Sequence, residues 1–188
     1  MTLMILVGVA ALLIVFVAVA ATRPAAYHVE RTLDVEAPAE RVFGVLNDLR
    51  SFSGVLVLFG SSLEKGDPGV QKTFDGPAAG IGQSFAWSGK KAGKATITID
   101  ESIPGEKVGM KLEFVAPMKS TATYGLTLDR TSAGACVTWT MKGNHNFIGR
   151  AFGMFVNMDN MLGADLEKGL VQLKTVAEGL PHELAAAS

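Results

Sequence analysis

The chain has 188 residues, with 17 basic and 18 acidic side chains and a formal net charge of -1. The charges are interspersed, so the sequence lacks the cationic surface that nucleic-acid binding requires, and we expect no nucleic-acid partner. The single cysteine, Cys136, excludes an internal disulfide and a cysteine metal cluster. The length leaves room for one domain of ordinary size after an apolar N-terminal segment.

The N-terminal segment from Met1 to Ala21 contains no charged residue. A helix of about 20 apolar residues spans a hydrocarbon core roughly 30 Å thick. We therefore predict a transmembrane helix over residues 1–23, acting as a signal anchor that makes this a single-pass membrane protein. A cleaved signal peptide is the alternative, because Ala18-Val19-Ala20 resembles a cleavage site. Arg23 follows the segment, and this positive charge weakly favours a cytoplasmic location for the domain.

The residues that follow predict one domain at 24–180 and a flexible tail at 181–188. Residues 27–36 alternate apolar and polar side chains, as a half-buried strand does, and Pro38 suits the first turn of a short helix. The segment 51–69 gives no assignment.

Further along the chain, alternation recurs at short intervals over residues 70–144, which predicts an antiparallel meander. An apolar stripe at three- and four-residue steps predicts a long helix over residues 149–179. The fold class is therefore α+β: a curved antiparallel sheet wrapped around a long C-terminal helix.

This order of elements resembles the START-like, or SRPBCC, superfamily, including its polyketide cyclase/dehydrase and lipid-transport group. The stretches that carry the resemblance are Tyr27-His28-Val29-Glu30-Arg31, Ala37-Pro38-Ala39-Glu40-Arg41-Val42-Phe43, Gly80-Ile81-Gly82, Phe85-Ala86-Trp87-Ser88-Gly89, Gly93-Lys94-Ala95, Glu101-Ser102, Val137-Thr138-Trp139, Leu166-Glu167-Lys168-Gly169-Leu170 and Leu173-Lys174. The sequence departs from the family at Ser51 to Leu56, where members usually carry tryptophans and a proline. The resemblance implies a helix-grip fold around a deep apolar cavity.

That cavity, expected between the sheet and the C-terminal helix, is the candidate site. The leading hypothesis is a non-enzymatic binding protein for one hydrophobic molecule, such as a lipid or a polyketide-like compound, held at a membrane. The predicted lining consists of aromatic and methionine side chains, which form an adaptable apolar surface. These candidate ligand-binding residues are Phe85, Trp87, Met110, Phe114, Tyr124, Trp139, Phe152, Phe155 and Met158.

Few groups suited to catalysis occur on the predicted inner faces. A cyclase, dehydratase or hydrolase is the second hypothesis, and it would use Tyr124, His145 or an acid on the last helix such as Asp159. The three histidines show no metal-ligand spacing, so we expect no metal and no cofactor. A third hypothesis is a membrane-tethered interaction or sensing module that uses the apolar patch at residues 55–59.

One charge interrupts the apolar face of the first predicted strand. Arg31 must either reach solvent or pair with a carboxylate. Glu101 and Asp165 are the candidate partners. A structural ion pair or an extended stem is favoured over anchoring of a substrate.

Overall fold

The structure is a computed structural model that describes residues 2–22, 24–58, 60–144, 147–152 and 157–179. An antiparallel sheet of seven strands carries three helices on one face. The helices are α1 (Thr2–Thr22), α2 (Ala39–Leu46), α3 (Leu49–Val55), α4 (Leu63–Gly66), α5 (Phe147–Phe152) and α6 (Met158–Glu178). The strands are β1 (Ala26–Val35), β2 (Val57–Leu58), β3 (Ser61–Ser62), β4 (Gln71–Asp75), β5 (Ser84–Gly89), β6 (Gly93–Ile103), β7 (Lys107–Ala116), β8 (Ser120–Arg130) and β9 (Ala135–Asn144).

The seven-stranded sheet has the order β1-β9-β8-β7-β6-β5-β4, so the meander from β4 to β9 closes against the first strand. The hairpin of β2 and β3 stands apart from it. Register shifts at Lys94/Ala95 and Ile99/Glu101 mark irregularities in the pairing of β6 with β7. Bulges of this kind bend a strand and increase its twist.

Apolar and polar side chains alternate along the strands, so one face of the sheet is apolar and the other is polar. The apolar inner face is buried, and the polar face meets solvent. In β8, for example, Tyr124 and Leu126 are buried while Thr121 and Thr123 are exposed. Helix α6 packs on β1 and β9, α2 packs on β7 and β8, and α3 packs on β5. This arrangement of a large antiparallel sheet and a C-terminal helix fits the predicted helix-grip fold.

The C-terminal helix differs from the single helix predicted over residues 149–179. Two helices are present: α5 ends at Phe152 and α6 begins at Met158. The Asn157 side chain accepts a hydrogen bond from the backbone N–H of Asn160 at 3.1 Å. An asparagine in this position caps a new helix because it satisfies one of the free N–H groups of the first turn.

The first helix, α1, is where the predicted membrane segment falls. Among the residues that the structure describes, no helix is long and apolar enough to cross a membrane. The prediction of a transmembrane helix over residues 1–23 is therefore wrong, and so is the single-pass membrane location that was based on it.

Segment 51–69, which the sequence left unassigned, contains most of α3, the β2–β3 hairpin and α4. Val55 and Leu56 are fully buried, and Val57 is also buried. Leu58 is half-buried, and Phe59 lies outside the described residues. Because the described part of this patch belongs to the core, the interaction-module hypothesis loses its main support.

Candidate functional site

The candidate site is the inner face of the sheet, under α6, α2 and α3. Six of the nine predicted lining residues have described side chains, and all six belong to or pack against one hydrophobic core. Phe85, Trp87, Met110, Tyr124 and Trp139 are buried, and Phe114 is partly buried. The side chains of Phe152 and Met158, and the whole of Phe155, lie outside the described part of the chain.

The register of the strands sets these side chains in rows across the sheet. Met110 on β7 lies opposite Tyr124 on β8, which lies opposite Met141 on β9. In the next row, Trp139 on β9 pairs with Arg31 on β1. The Tyr124 and Trp139 side chains are thus diagonal neighbours on adjacent strands, a separation that aromatic side chains can bridge.

A first group of rings lies at the β4–β5 side of the sheet. The rings of Phe74 and Phe85 are stacked with centroids 4.8 Å apart. Phe85 contacts Trp87 at 5.5 Å, and Trp87 meets Phe114 edge to face at 6.0 Å. Aromatic pairs in these geometries are favourable beyond the area that they bury. This group forms a continuous apolar surface along three strands.

The second group of rings, which we call the Trp139 cluster, consists of Phe52, Tyr124 and Trp139. The ring of Trp139 meets that of Tyr124 edge to face at 5.5 Å. Phe52, on α3, lies at the same centroid distance from Trp139 with the two rings tilted by 54°. The cluster therefore joins two strands of the sheet to a helix above it.

Glycine at position 169 allows α6 to lie directly on Trp139. A Cβ atom at that position would come 2.6 Å from Cζ3 and 3.0 Å from Cη2 of the indole. Contacts this short are not tolerated, and a buried indole has little room to move. The helix backbone therefore holds the edge of the Trp139 ring in one place.

The two indole N–H groups of the chain have different environments. Trp87 Nε1 donates to the carbonyl oxygen of Ala92 at 3.2 Å. Trp139 Nε1 is buried without a hydrogen-bond partner among the residues that the structure describes. A buried polar group left unpaired costs about 1–3 kcal/mol. Such a group in a native protein needs an explanation.

The phenols near the Trp139 cluster are held in the protonated form. Burial raises the pKa of Tyr124 strongly, and the nearby Tyr27 and Asp165 add to that shift because a second negative charge is unfavourable there. Burial also raises the pKa of Tyr27. At neutral pH, Tyr124 can donate a hydrogen bond to a ligand, but it is a poor general base.

Arg31 forms the ion pair that the sequence predicted, but with other partners. Its Nε donates to Glu167 Oε1 at 2.6 Å, and its Nη2 lies 3.5 Å from Asp159 Oδ2. The predicted partners, Glu101 and Asp165, are wrong. Arg31 crosses to α6 beside Gly163, where a Cβ atom would overlap the guanidinium. The hydrogen bond that Arg31 donates to Glu167 is the main reason that the pKa of Arg31 is raised.

Among the described residues, neither His28 nor Cys136 adds a reactive group to the inner face. The His28 side chain is about half exposed and lies 3.7 Å from Glu30. His145 lies outside the described residues. Burial raises the pKa of the Cys136 thiol, which disfavours the reactive thiolate. No group of three or more potential metal ligands occurs in the described portion of the chain.

Sequence reasoning missed Phe52, Phe74 and Gly169. Phe52 lies in a segment without clear periodicity, and Phe74 lies in a short strand at the edge of the sheet. Gly169 did carry a signal, because a glycine inside an apolar helical stripe is unfavourable unless another group must come close to it.

The chain belongs to the polyketide cyclase / dehydrase and lipid transport family, whose sequence profile matches residues 26–178. This confirms the superfamily that the sequence motifs indicated. Membership supports a ligand-binding or cyclase-like role. No curated protein matches the chain.

Solved structures with the same fold cover most of the chain. A protein from Chromobacterium violaceum has a TM-score of 0.57 and 19% identity, over 80% of this chain and 96% of its own. A protein from Mesorhizobium loti has a TM-score of 0.56 and 13% identity, over 82% and 99%. The KanY protein has a TM-score of 0.55 and 16% identity, over 81% and 98%. At such identities the likeness establishes the fold alone.

Proposed function

We propose that this protein binds one hydrophobic small molecule, lipid-like or polyketide-like, between the sheet and the helices that cover it. The observation that carries the proposal is the composition of the inner face. Aromatic and methionine side chains from β5, β7, β8 and β9 form a single buried surface there. Such a surface binds apolar molecules by removing their area from water, at about 25 cal/mol per Å².

The groups available for chemistry favour binding over catalysis. Tyr124 is buried and protonated at neutral pH, since its pKa is raised. Arg31 is engaged by two carboxylates of α6, as described above. An enzyme of the cyclase type needs a base or acid that can exchange protons with a bound substrate. Both residues hold their protons near neutral pH, so neither is suited to exchange a proton with a substrate, and the binding function is the one that we propose.

The first experiment asks whether the protein carries a ligand. The full chain is purified from cells without denaturation, weighed by native mass spectrometry, and titrated with Nile red, a neutral probe of apolar sites. We expect either a defined apolar adduct or saturable probe binding. A chain that carries no adduct and binds no probe would contradict the proposal.

A matched pair of variants on β8 tests the location of the site. Ala122 is buried on the inner face, and Thr123 is exposed on the outer face. Ala122→Phe adds volume at the site, and we expect it to weaken probe binding at least about tenfold while the chain stays folded. Thr123→Phe adds the same ring to the outer surface and should leave binding unchanged.

The outcome of the paired experiment separates the two surfaces. Equal weakening by both variants, or by neither, would show that the probe binds elsewhere, for example on the exposed apolar side chains of α1. Thermal unfolding of each variant is the control for folding. If Ala122→Phe unfolds the chain, Leu112→Trp in the neighbouring strand provides the second attempt to fill the site, because Leu112 pairs with Ala122.

A further inference from the structure

The indole N–H of Trp139 has no hydrogen-bond partner among the described residues, and it bears on the chemistry of the ligand more directly than the apolar wall does. Trp139 is 1% exposed. One edge of its ring abuts Gly169, and the rings of Phe52 and Tyr124 lie against it. The direction of the N–H bond is therefore fixed before any ligand binds. Fixed donors of this kind orient a ligand in an otherwise apolar pocket.

We propose that the ligand carries a neutral oxygen acceptor, such as a ketone or quinone carbonyl, which accepts a hydrogen bond from Trp139 Nε1. This inference rests on the proposed binding function and makes it more specific. An indole nitrogen is a donor only, so its partner must be an acceptor. Among the described residues no protein acceptor reaches it. An unsubstituted hydrocarbon would leave the buried donor unpaired.

The charges around the site explain why the acceptor is neutral. Arg31 is the nearest cation along the register, since it pairs with Trp139 across β1 and β9. Its Nε and Nη2 atoms face carboxylates of α6, and its Nη1 atom donates to the carbonyl oxygen of Glu30 at 2.8 Å. The negative charge of Asp165 also contributes to raising the pKa of Tyr124. An anionic ligand group would thus meet a negative field and a cation that is already engaged.

Tyr124 can strengthen the same contact. Its ring lies 5.5 Å from that of Trp139, and its phenol keeps its proton at neutral pH. A carbonyl oxygen has two lone pairs and can accept from both groups at once. A ligand carbonyl within reach of both donors would be favoured over a hydrocarbon of the same shape.

The test compares two probes that differ only in the acceptor: methyl naphthyl ketone and ethylnaphthalene substituted at the same ring carbon. Binding of each probe to the full chain is measured by calorimetry. We expect the ketone to bind about tenfold more tightly than the hydrocarbon, as one hydrogen bond to a buried donor provides. Equal binding of both probes would overturn this inference and leave the proposed function intact. Binding of neither probe would contradict both.

Two variants assign the preference to one indole. Trp139→Phe keeps an aromatic ring but removes the N–H, so the ketone should lose its advantage while affinity for the hydrocarbon changes little. Trp87→Phe removes an N–H that is already bonded to Ala92. It should affect both probes alike and preserve the ratio of their affinities. A ketone preference that survives Trp139→Phe would overturn the inference.

A measurement on the unmodified chain guards against misfolding of the variants. The chain has two tryptophans, so its nitrogen–proton NMR spectrum contains two indole signals. We expect the ketone to shift the Trp139 indole proton downfield, as a new hydrogen bond does, and the hydrocarbon to shift it less. A downfield shift at Trp87 alone, or the same shift with both probes, would show that Trp139 does not donate to the carbonyl.

Discussion

Arg31 and Glu167 join the first strand to the last helix through a hydrogen bond of 2.6 Å between Nε and Oε1. The two residues are 136 positions apart in sequence, so the contact closes nearly the whole domain. The Arg31 side chain is 26% exposed and that of Glu167 is 60% exposed. Water therefore screens the pair, and its strength is that of a surface ion pair rather than a buried one.

We predict a coupling energy of about 0.5–1 kcal/mol between these two residues. A double-mutant cycle with Arg31→Met and Glu167→Gln, followed by denaturant unfolding, measures it. The coupling should fall when salt rises from about 0.1 M to about 1 M, where the screening length drops from about 10 Å to about 3 Å. The matched control is Lys111 and Glu113, a 2.8 Å pair within β7 that joins no two elements. A coupling no larger than that control would contradict the prediction.

The strands of the seven-stranded sheet were predictable from the sequence because one face of the sheet packs against the core and the other meets water. Apolar and polar side chains alternate over residues 27–36, and the structure has strand β1 (Ala26–Val35) at that place. The break before Met158 was not predicted, because apolar residues continue at helical spacing across it. Asn157 was the one local signal, and capping residues are easily missed when the apolar stripe is followed instead.

The candidate site was predictable only as a composition. Alternation placed Tyr124 and Trp139 on the buried face, which the structure confirms. It did not show that Phe52 would reach Trp139 from a helix, nor that the indole N–H would lack a partner among the described residues. Both facts depend on how the helices cross the sheet, which is set by contacts between residues distant in sequence.

Gly169→Ala should destabilise the fold because its new Cβ atom would lie 2.6 Å from Trp139 Cζ3 and 3.3 Å from the carbonyl oxygen of Val55. We expect a loss of about 1–3 kcal/mol in the free energy of unfolding, as overpacking typically produces. Gly44→Ala is the matched control, since nothing lies within 4 Å of its Cβ position in α2. That control should be stabilising by about 0.5–1 kcal/mol, because alanine is the better helix former. Equal effects in the two variants would contradict close packing at Trp139.

Gln83 is fully buried, and its side-chain amide forms three hydrogen bonds. Its Oε1 accepts from the N–H of Leu49 at 2.7 Å, and its Nε2 donates to Asp48 Oδ1 and to the carbonyl oxygen of Ala78. Gln83→Ala removes these three hydrogen bonds. We expect the free energy of unfolding, measured with denaturant, to fall by about 2–3 kcal/mol. Gln71→Ala, at an exposed position of β4, should change stability by less than about 0.5 kcal/mol.

The two tyrosines should titrate abnormally, because burial raises the pKa of both Tyr27 and Tyr124 above the usual 10.0. A phenol whose pKa is higher in the folded state gives a stability contribution that is fully present below pH 10.0. That contribution is lost as the pH rises toward the folded-state pKa, so stability should fall in alkaline solution. The ultraviolet absorbance of tyrosinate, followed with circular dichroism as the pH is raised, measures this.

In that titration we expect tyrosinate to appear mainly as the chain unfolds. Tyr27→Phe leaves Tyr124 as the only tyrosine of the chain. Because Tyr124 has the larger shift, ionisation of this variant should coincide with unfolding and show no earlier step. Tyrosinate that forms in this variant near pH 10.0 while the circular dichroism stays native would show that water reaches the Tyr124 phenol. It would also mean that the hydrogen-bond donor beside Trp139 is not in the dry environment that a ligand carbonyl would meet.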